Sequence, residues 1–441
     1  MKNWFKRLLG GAQVTPAAPV SPPMPPRLAD QKPDSPPIPG VRRPLVAANG
    51  EVAGFEFTLA ASLAERLRRR DDPVSHAAHV ISLMTAMRAA RESGRIALAS
   101  LPMSLLLRPN VMDQVPPEAW LCLEAAEGQA PLDPDQLTVI AALRECGVRV
   151  GTRVSGAGLP PAGPLKFDFS VLSLGDLGTG PLMDAVRSLR AADASVPIVV
   201  TGLADVDAIE GMLSAGATLA SGDFNAQVAA PRQRALQGDV QRIIGLLNAV
   251  RDERKPLADL TRELRGDVGL CYRLLRQVNS PAVGVSRPVE SIDQAVLILG
   301  RSEVYRWLSV LLLASVSGRR TSRALQEVSL ARARMLELLA RERGSEPPDA
   351  LFTVGLLSLL NVMLEMPMSQ VLQPLRLSEP AHLALLDRSG PWHELLTLSE
   401  ALERHDLDAA ATAAAGFGGN ERVSQLSDEA WRWALAAHRN V

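Results

Sequence analysis

The chain has 441 residues, a length that holds two or three domains at about 100 to 200 residues each and excludes a small scaffold stapled by disulfides. Lys plus Arg number 47 against 48 Asp plus Glu, so the formal charge of -1 offers no basic excess for nucleic acid or anionic lipid. Cys122, Cys146 and Cys271 form no CxxC or Cys/His cluster for zinc, which fits a reducing cytoplasm, and with 47% hydrophobic but 4% aromatic residues the cores must be built from Leu, Val and Ala.

Residues 1–40 carry ten prolines between Pro16 and Pro39 and read as a disordered, Pro-rich leader. Ahead of them, Trp4, Phe5, Leu8 and Leu9 lie among Lys2, Lys6 and Arg7; this stretch reads as a frayed terminus, with about two turns of amphipathic helix as the alternative. The apolar stretch is shorter than the ~7 residues of a secretory h-region. The longest apolar run elsewhere, Trp307 to Val316, is about half of the ~20 residues a membrane span needs.

From 41 to 230 short apolar runs alternate with helical ones, the pattern of an α/β domain with a buried parallel sheet. Strands are predicted at Ile96–Leu101, Trp120–Leu123, Val148–Val150, Leu165–Val171, Val196–Thr201 and from Gly216 to Leu219. Helices are predicted at Gln136–Glu145, Pro181–Ala192 and Val206–Ala215. Repeated β-then-α units suggest a closed or nearly closed (β/α) barrel, an open sheet being the alternative. From 232 to 441 the strand signal disappears and apolar residues recur at helical spacing, as in Ile243, Leu246, Leu247 and Val250, so this half is predicted to be all-helical. The Arg-rich stretch from Arg319 to Arg343, interleaved with Glu327, Glu337 and Glu342, reads as a solvated helix paired with itself.

The most specific signal lies in the helical half. A helix ending in Asn279-Ser280 is followed by a short loop and then by Ser291-Ile-Asp-Gln-Ala, closed by Leu299-Gly300. Asn279 and Ser280 suit a helix stop before Pro281, Ser291 an N-cap, and Gly300 a helix C-terminus, so all four read as structural. This order of features resembles the HDOD domain, a helical family related to HD-type metal phosphohydrolases. The resemblance implies an adjacent His-Asp pair after Gly-Leu-Leu in an HD enzyme; here Gly355-Leu-Leu357 is followed by Ser358-Leu359, and leucine offers a metal nothing.

The α/β half resembles the EAL domain, the barrel of cyclic di-GMP phosphodiesterases. Pro44 to Phe57 is similar to that family's opening strand pair and puts Glu56 at the signature glutamate. The resemblance implies two divalent metals held by carboxylates and one asparagine, and most of that set is replaced. Ser100 stands near the expected asparagine, Arg153 and Val154 at the paired aspartates, Ala204 at a late glutamate and Ser221-Gly222 at a Gln-Gly; Glu124 and the Lys166-x-Asp168 element are retained. Of the other motifs, Asp176 to Gly180 lacks the lysine and spacing of a phosphate loop and reads as a turn. His76 and His79, with no third ligand nearby, read as an exposed helix face.

The expected architecture is a Pro-rich leader at 1–40, a degenerate EAL-like (β/α) barrel at 41–230 and an HDOD helical domain at 232–441. The expected function is that of a cytoplasmic, non-enzymatic signal-transduction protein acting through its HDOD half on protein partners, with no cofactor, no metal and no nucleic acid. One alternative is a metal-independent cyclic di-GMP receptor using Glu56, Glu124, Arg153, Lys166 and Asp168 at the barrel mouth. The other is an active phosphodiesterase.

Overall fold

The computed structural model describes residues 41–58, 73–124, 133–154, 166–225, 236–280, 283–285, 287–344 and 347–438, so the leader lies outside the described residues. Eight strands close into a barrel in chain order: β1 Arg42–Ala47, β2 Val52–Phe57, β3 Ile96–Pro102, β4 Trp120–Glu124, β5 Arg149–Arg153, β6 Phe169–Ser173, β7 Ile198–Leu203 and β8 Leu219–Gly222. β1 runs antiparallel to both its neighbours, β2 and β8, and every other pair is parallel. The antiparallel start follows from a tight connection, since Gly50 at φ 81 and Asn49, whose carboxamide bonds Glu51, turn β1 straight into β2.

Alternate residues face the barrel axis, and Leu45, Leu98, Trp120, Cys122, Phe169, Val171, Val199 and Leu219 form one buried cluster there. The Trp120 and Phe169 rings stand 4.8 Å apart, with the Arg149 guanidinium 5.0 Å from the Trp120 ring centre. Room for Phe169 comes from Gly151, where a Cβ would lie 2.4 Å from that ring.

Helices α1 Pro73–Glu92, α2 Pro134–Glu145, α3 Thr179–Ala192 and α4 Val206–Ala215 follow β2, β4, β6 and β7. Asp133 caps α2 in a reciprocal box with Gln136, Asp205 caps α4 at Ala208, and Gly216 ends α4 in the left-handed conformation. The sixth strand is a correction to the expected Leu165–Val171. Asp168 bonds Val150 through both its backbone N–H and its carboxylate, which fixes it beside the start of β5, and the strand begins only at Phe169. The expected turn at Asp176 to Gly180 is a single helical turn, Leu174–Leu177, stopped by Gly178 at φ 73.

By contacts the described residues fall into two compact units, one of 37–234, 316–372 and 377–441, the other of 235–315 and 373–376. The second holds α5 Gly238–Arg251, α6 Leu257–Arg265, α7 Val268–Val278 and α8 Ile292–Ala314. Within it Arg301 donates to the carbonyls of Val250 and Asp252, which ties α8 to the end of α5. The first unit contains α9 Ser322–Arg343, α10 Pro348–Leu357, α11 His393–Arg404 and α12 Gly419–His438 together with the barrel. Division by sequence at residue 230 therefore differs from division by packing.

These later helices cover the outer face of the β1–β2 hairpin. Trp431 of α12 meets Phe55 edge-on at 4.9 Å, and the Arg42 guanidinium lies 5.3 Å from the Phe55 ring centre and 5.5 Å from that of Phe57. Burial, with Arg432 close by, pushes Arg42 down to about 10. α9 is not the solvated helix its charges suggest. Nearly all of it from Ser322 to Ala340 is buried, and the side chains of Arg332 and Arg334 are 0% exposed, compensated by Glu403 and by Glu337 with Glu429.

Candidate functional site

Because the strands from β2 to β8 are parallel, their C-terminal ends form one mouth, the end at which barrels of this class hold ligands. β1 runs the other way, so Arg43, its second residue, arrives at this end, paired in register with Glu56. Glu56 is the penultimate residue of β2, and its Oε2 accepts the Ser221 hydroxyl at 2.6 Å and lies 3.7 Å from Arg43 Nη1. Across the mouth Arg153, the last residue of β5, donates from Nη2 to Ser100 Oγ at 3.3 Å. Glu124 ends β4 beside Pro102; its side chain lies outside the described residues.

The other two residues expected at the mouth are not there. Lys166 and Asp168 precede β6, at the end where strands begin. Asp168 Oδ2 accepts from Val150 N–H at 2.8 Å and from Arg144 of α2 at 3.2 Å, so this carboxylate joins a helix to a strand start. The Lys-x-Asp match in the sequence is thus displaced from the mouth, and Ser173 is the residue at the C-terminal end of β6.

A pair of divalent cations needs several converging oxygens free to coordinate. At this mouth the Glu56 carboxylate already accepts a hydroxyl hydrogen and faces one guanidinium, while Arg153 brings a second. Among the described side chains this donor set does not fit a two-metal centre. Among the described residues no group of three His, Cys, Asp or Glu side chains has metal-binding geometry.

A guanidinium also lies at Ser358, in the helices. Ser358, at the expected His-Asp position, donates to Gly355 O at 2.7 Å and accepts from Arg332 Nη1 at 2.7 Å, and Leu359 is buried. Burial, the largest influence, would lower the Arg332 pKa, but the Glu403, Glu400 and Asp223 carboxylates together outweigh it and hold the guanidinium charged, while burial raises the Glu403 carboxyl in spite of Arg332. Arg332 also donates to Asn225 Oδ1 at 2.6 Å, three residues beyond the end of β8.

In the second unit the expected hallmark residues act on the backbone. The Asn279 carboxamide accepts Val289 N–H at 2.7 Å and donates to Val289 O at 2.8 Å, bracing the ends of the α7–α8 connection. Ser280 Oγ donates to Gln277 O, Ser291 caps α8 at Gln294, and Gly300 breaks α8 at φ 74. His76 and His79 lie on α1, their side chains outside the described residues. Sequence reasoning missed Arg43, Asn225, Arg332 and His405. Among these, only Arg43 carried a signal, its place one strand from Glu56 in a predicted hairpin.

Residues 239–378 match the HDOD domain family, and they follow the closed eight-stranded barrel. The chain is 29% identical over 168 residues to the uncharacterized protein YuxH of Bacillus subtilis, covering 38% of this chain and 41% of that protein. It is 27% identical over 229 residues to the cyclic di-GMP phosphodiesterase CdgJ of Vibrio cholerae, covering 52% of this chain and 53% of that one. The chain thus spans about half or less of the length of these curated relatives. Among solved structures, an EAL-domain protein of Listeria monocytogenes superposes with TM-score 0.32 at 12% identity over 41% of this chain and 84% of that one. The Xanthomonas citri FimX EAL domain in complex with c-diGMP gives 0.32 at 17% over 42% and 85%. No helix among the described residues is long and apolar enough to cross a membrane.

Proposed function

We propose that this chain is a cyclic di-GMP signalling protein that acts by contact, through its HDOD domain on protein partners in the cytoplasm, and does not hydrolyse the dinucleotide. One observation carries the proposal: Glu56 is held by Ser221 and Arg43 while Arg153 lies against Ser100, so guanidinium groups occupy the part of the barrel where a phosphodiesterase of this fold needs metal ligands. The name of the Vibrio cholerae relative favours hydrolysis, which makes turnover the measurement of choice.

Metal-free cyclic di-GMP binding is the second reading, favoured by the same two guanidinium groups, since arginine forks suit phosphate. Glu56, Arg43 and Arg153 then replace the five-residue set inferred from sequence. A thermal-shift titration with cyclic di-GMP, with and without Mg2+ or Mn2+, combined with a chromatographic assay for linear dinucleotide, tests both readings. Saturable binding without metal supports the receptor, and turnover that disappears in Glu56→Ala refutes the contact-only proposal.

A further inference from the structure

Ser221 is completely buried and Glu56 is only 9% exposed, although both sit at the mouth of an otherwise ordinary barrel. The C-terminal end of α11 lies against this rim. Two consecutive residues there bond the rim directly, and the one before them reaches it through Arg332. The Arg404 carbonyl accepts from Arg43 Nη2 at 2.5 Å, and that guanidinium is the one facing Glu56. His405 Nδ1 is 2.8 Å from the hydroxyl of Thr58, two residues beyond Glu56 on the way out of β2. Glu403 binds Arg332, which in turn holds Asn225 in the loop leaving β8.

We infer that the Glu403–Arg404–His405 turn is a latch that closes the barrel mouth and must lift before a ligand reaches Glu56. His405 ends α11 with φ 60, a left-handed cap closed by backbone bonds from His405 N–H to Leu402 O and from Asp406 N–H to Ala401 O, so the turn keeps its own shape and its rim contacts fix only where it docks. Arg43 makes the closure two-sided. Its guanidinium is shared between Glu56 and the Arg404 carbonyl, so an anion that draws Arg43 into the mouth weakens the hold on α11, and lifting α11 frees Arg43 for the anion. The inference rests on the reading of the mouth as a ligand site for its purpose, but its geometry is independent of which ligand enters.

The test uses the full chain carrying Cys146→Ser and Cys271→Ser, with Ser221→Cys as a reporter and the buried Cys122 of the barrel core as an internal standard. Maleimide labelling at both positions is followed by mass spectrometry. Adding Thr58→Val and His405→Asn is expected to speed labelling at 221 about tenfold relative to Cys122 through local opening. The control Thr397→Val, on the same helix but bonded to His393, is expected to leave it unchanged. An unchanged rate at 221, or an equal rise at 221 and Cys122 that signals global opening, overturns the latch. Parallel titration with cyclic di-GMP separates the two ideas: faster labelling without binding sinks only the ligand reading, and binding without faster labelling sinks only the latch.

Discussion

Arg332 and Glu403 meet as a two-pronged pair in the interior of the barrel-containing unit, with Nε 3.0 Å from Oε1 and Nη2 2.5 Å from Oε2. Neither side chain has more than marginal access to water, and the remaining donors of the guanidinium go to Ser358 and Asn225. A buried pair of this kind adds little net stability compared with apolar packing, yet removing one partner strands the other charge.

Replacing Arg332 with Ala should therefore lower unfolding free energy by about 3–5 kcal/mol in urea denaturation. The double change Arg332→Met with Glu403→Leu should recover most of that loss. Equal destabilisation by the single and double changes would show that the pair is not the source.

His405 contributes a pH dependence. Burial, and then the nearby Arg43, hold its pKa well below the ordinary histidine value, so the folded chain binds fewer protons than the unfolded one below about pH 6.5. Stability is then fully present above that pH, falls as the pH drops through 6.5, and keeps falling toward the depressed folded value. His405→Asn, which tolerates the left-handed backbone, should flatten the slope between pH 7 and 5 in chemical denaturation. A wild-type slope retained in the variant would assign the effect to another group.

Gly151→Ala places a methyl group 2.4 Å from the Phe169 ring. Overpacking here should cost about 1–3 kcal/mol in thermal or chemical unfolding. Phe169→Leu in the same chain should return part of it, and a merely additive loss would argue against the steric cause.

Trp431 closes the outer face of the β1–β2 hairpin over Phe55. Trp431→Ala should cost about 3–5 kcal/mol, and a fragment ending at residue 230 should aggregate or bind a hydrophobic dye, since it leaves Phe55 and Phe57 without their cover. A monomeric fragment with a cooperative melt would contradict this.

Much of the fold is written locally. The strands at β3, β4 and β7 and the helices α2, α3 and α4 follow from period-two and period-3.6 apolar patterns with Asp and Gly at their ends. The apolar pattern places β6 at Leu165–Val171 where it runs Phe169–Ser173, and the meaning of the Lys166-x-Asp168 element depends on which end of that strand it occupies: here it lies before the start. α9 was misread because Arg and Glu at helical spacing look the same whether their partners are water or buried carboxylates from α11. The latch residues were invisible for a related reason: Arg43 and Arg404 are far apart in sequence, and no periodicity records a contact of that range. The Asn-Ser, Ser-Ile and Leu-Gly pattern is legible because Asn279, Ser280 and Ser291 each bond backbone within about ten positions and Gly300 takes a positive φ.

The bond from Arg43 to Arg404 spans 361 residues, and the barrel-containing unit is interrupted by 235–315. During synthesis at about 5–20 residues per second, the hairpin that starts the barrel waits tens of seconds for the helices that shield it. Contacts of such long range also slow folding itself, because the loop must close before any gain is realised. The order of the chain thus imposes an interval in which Phe55 and Phe57 stand uncovered, and chaperone dependence in the cell should track the length of that interval more than the final stability.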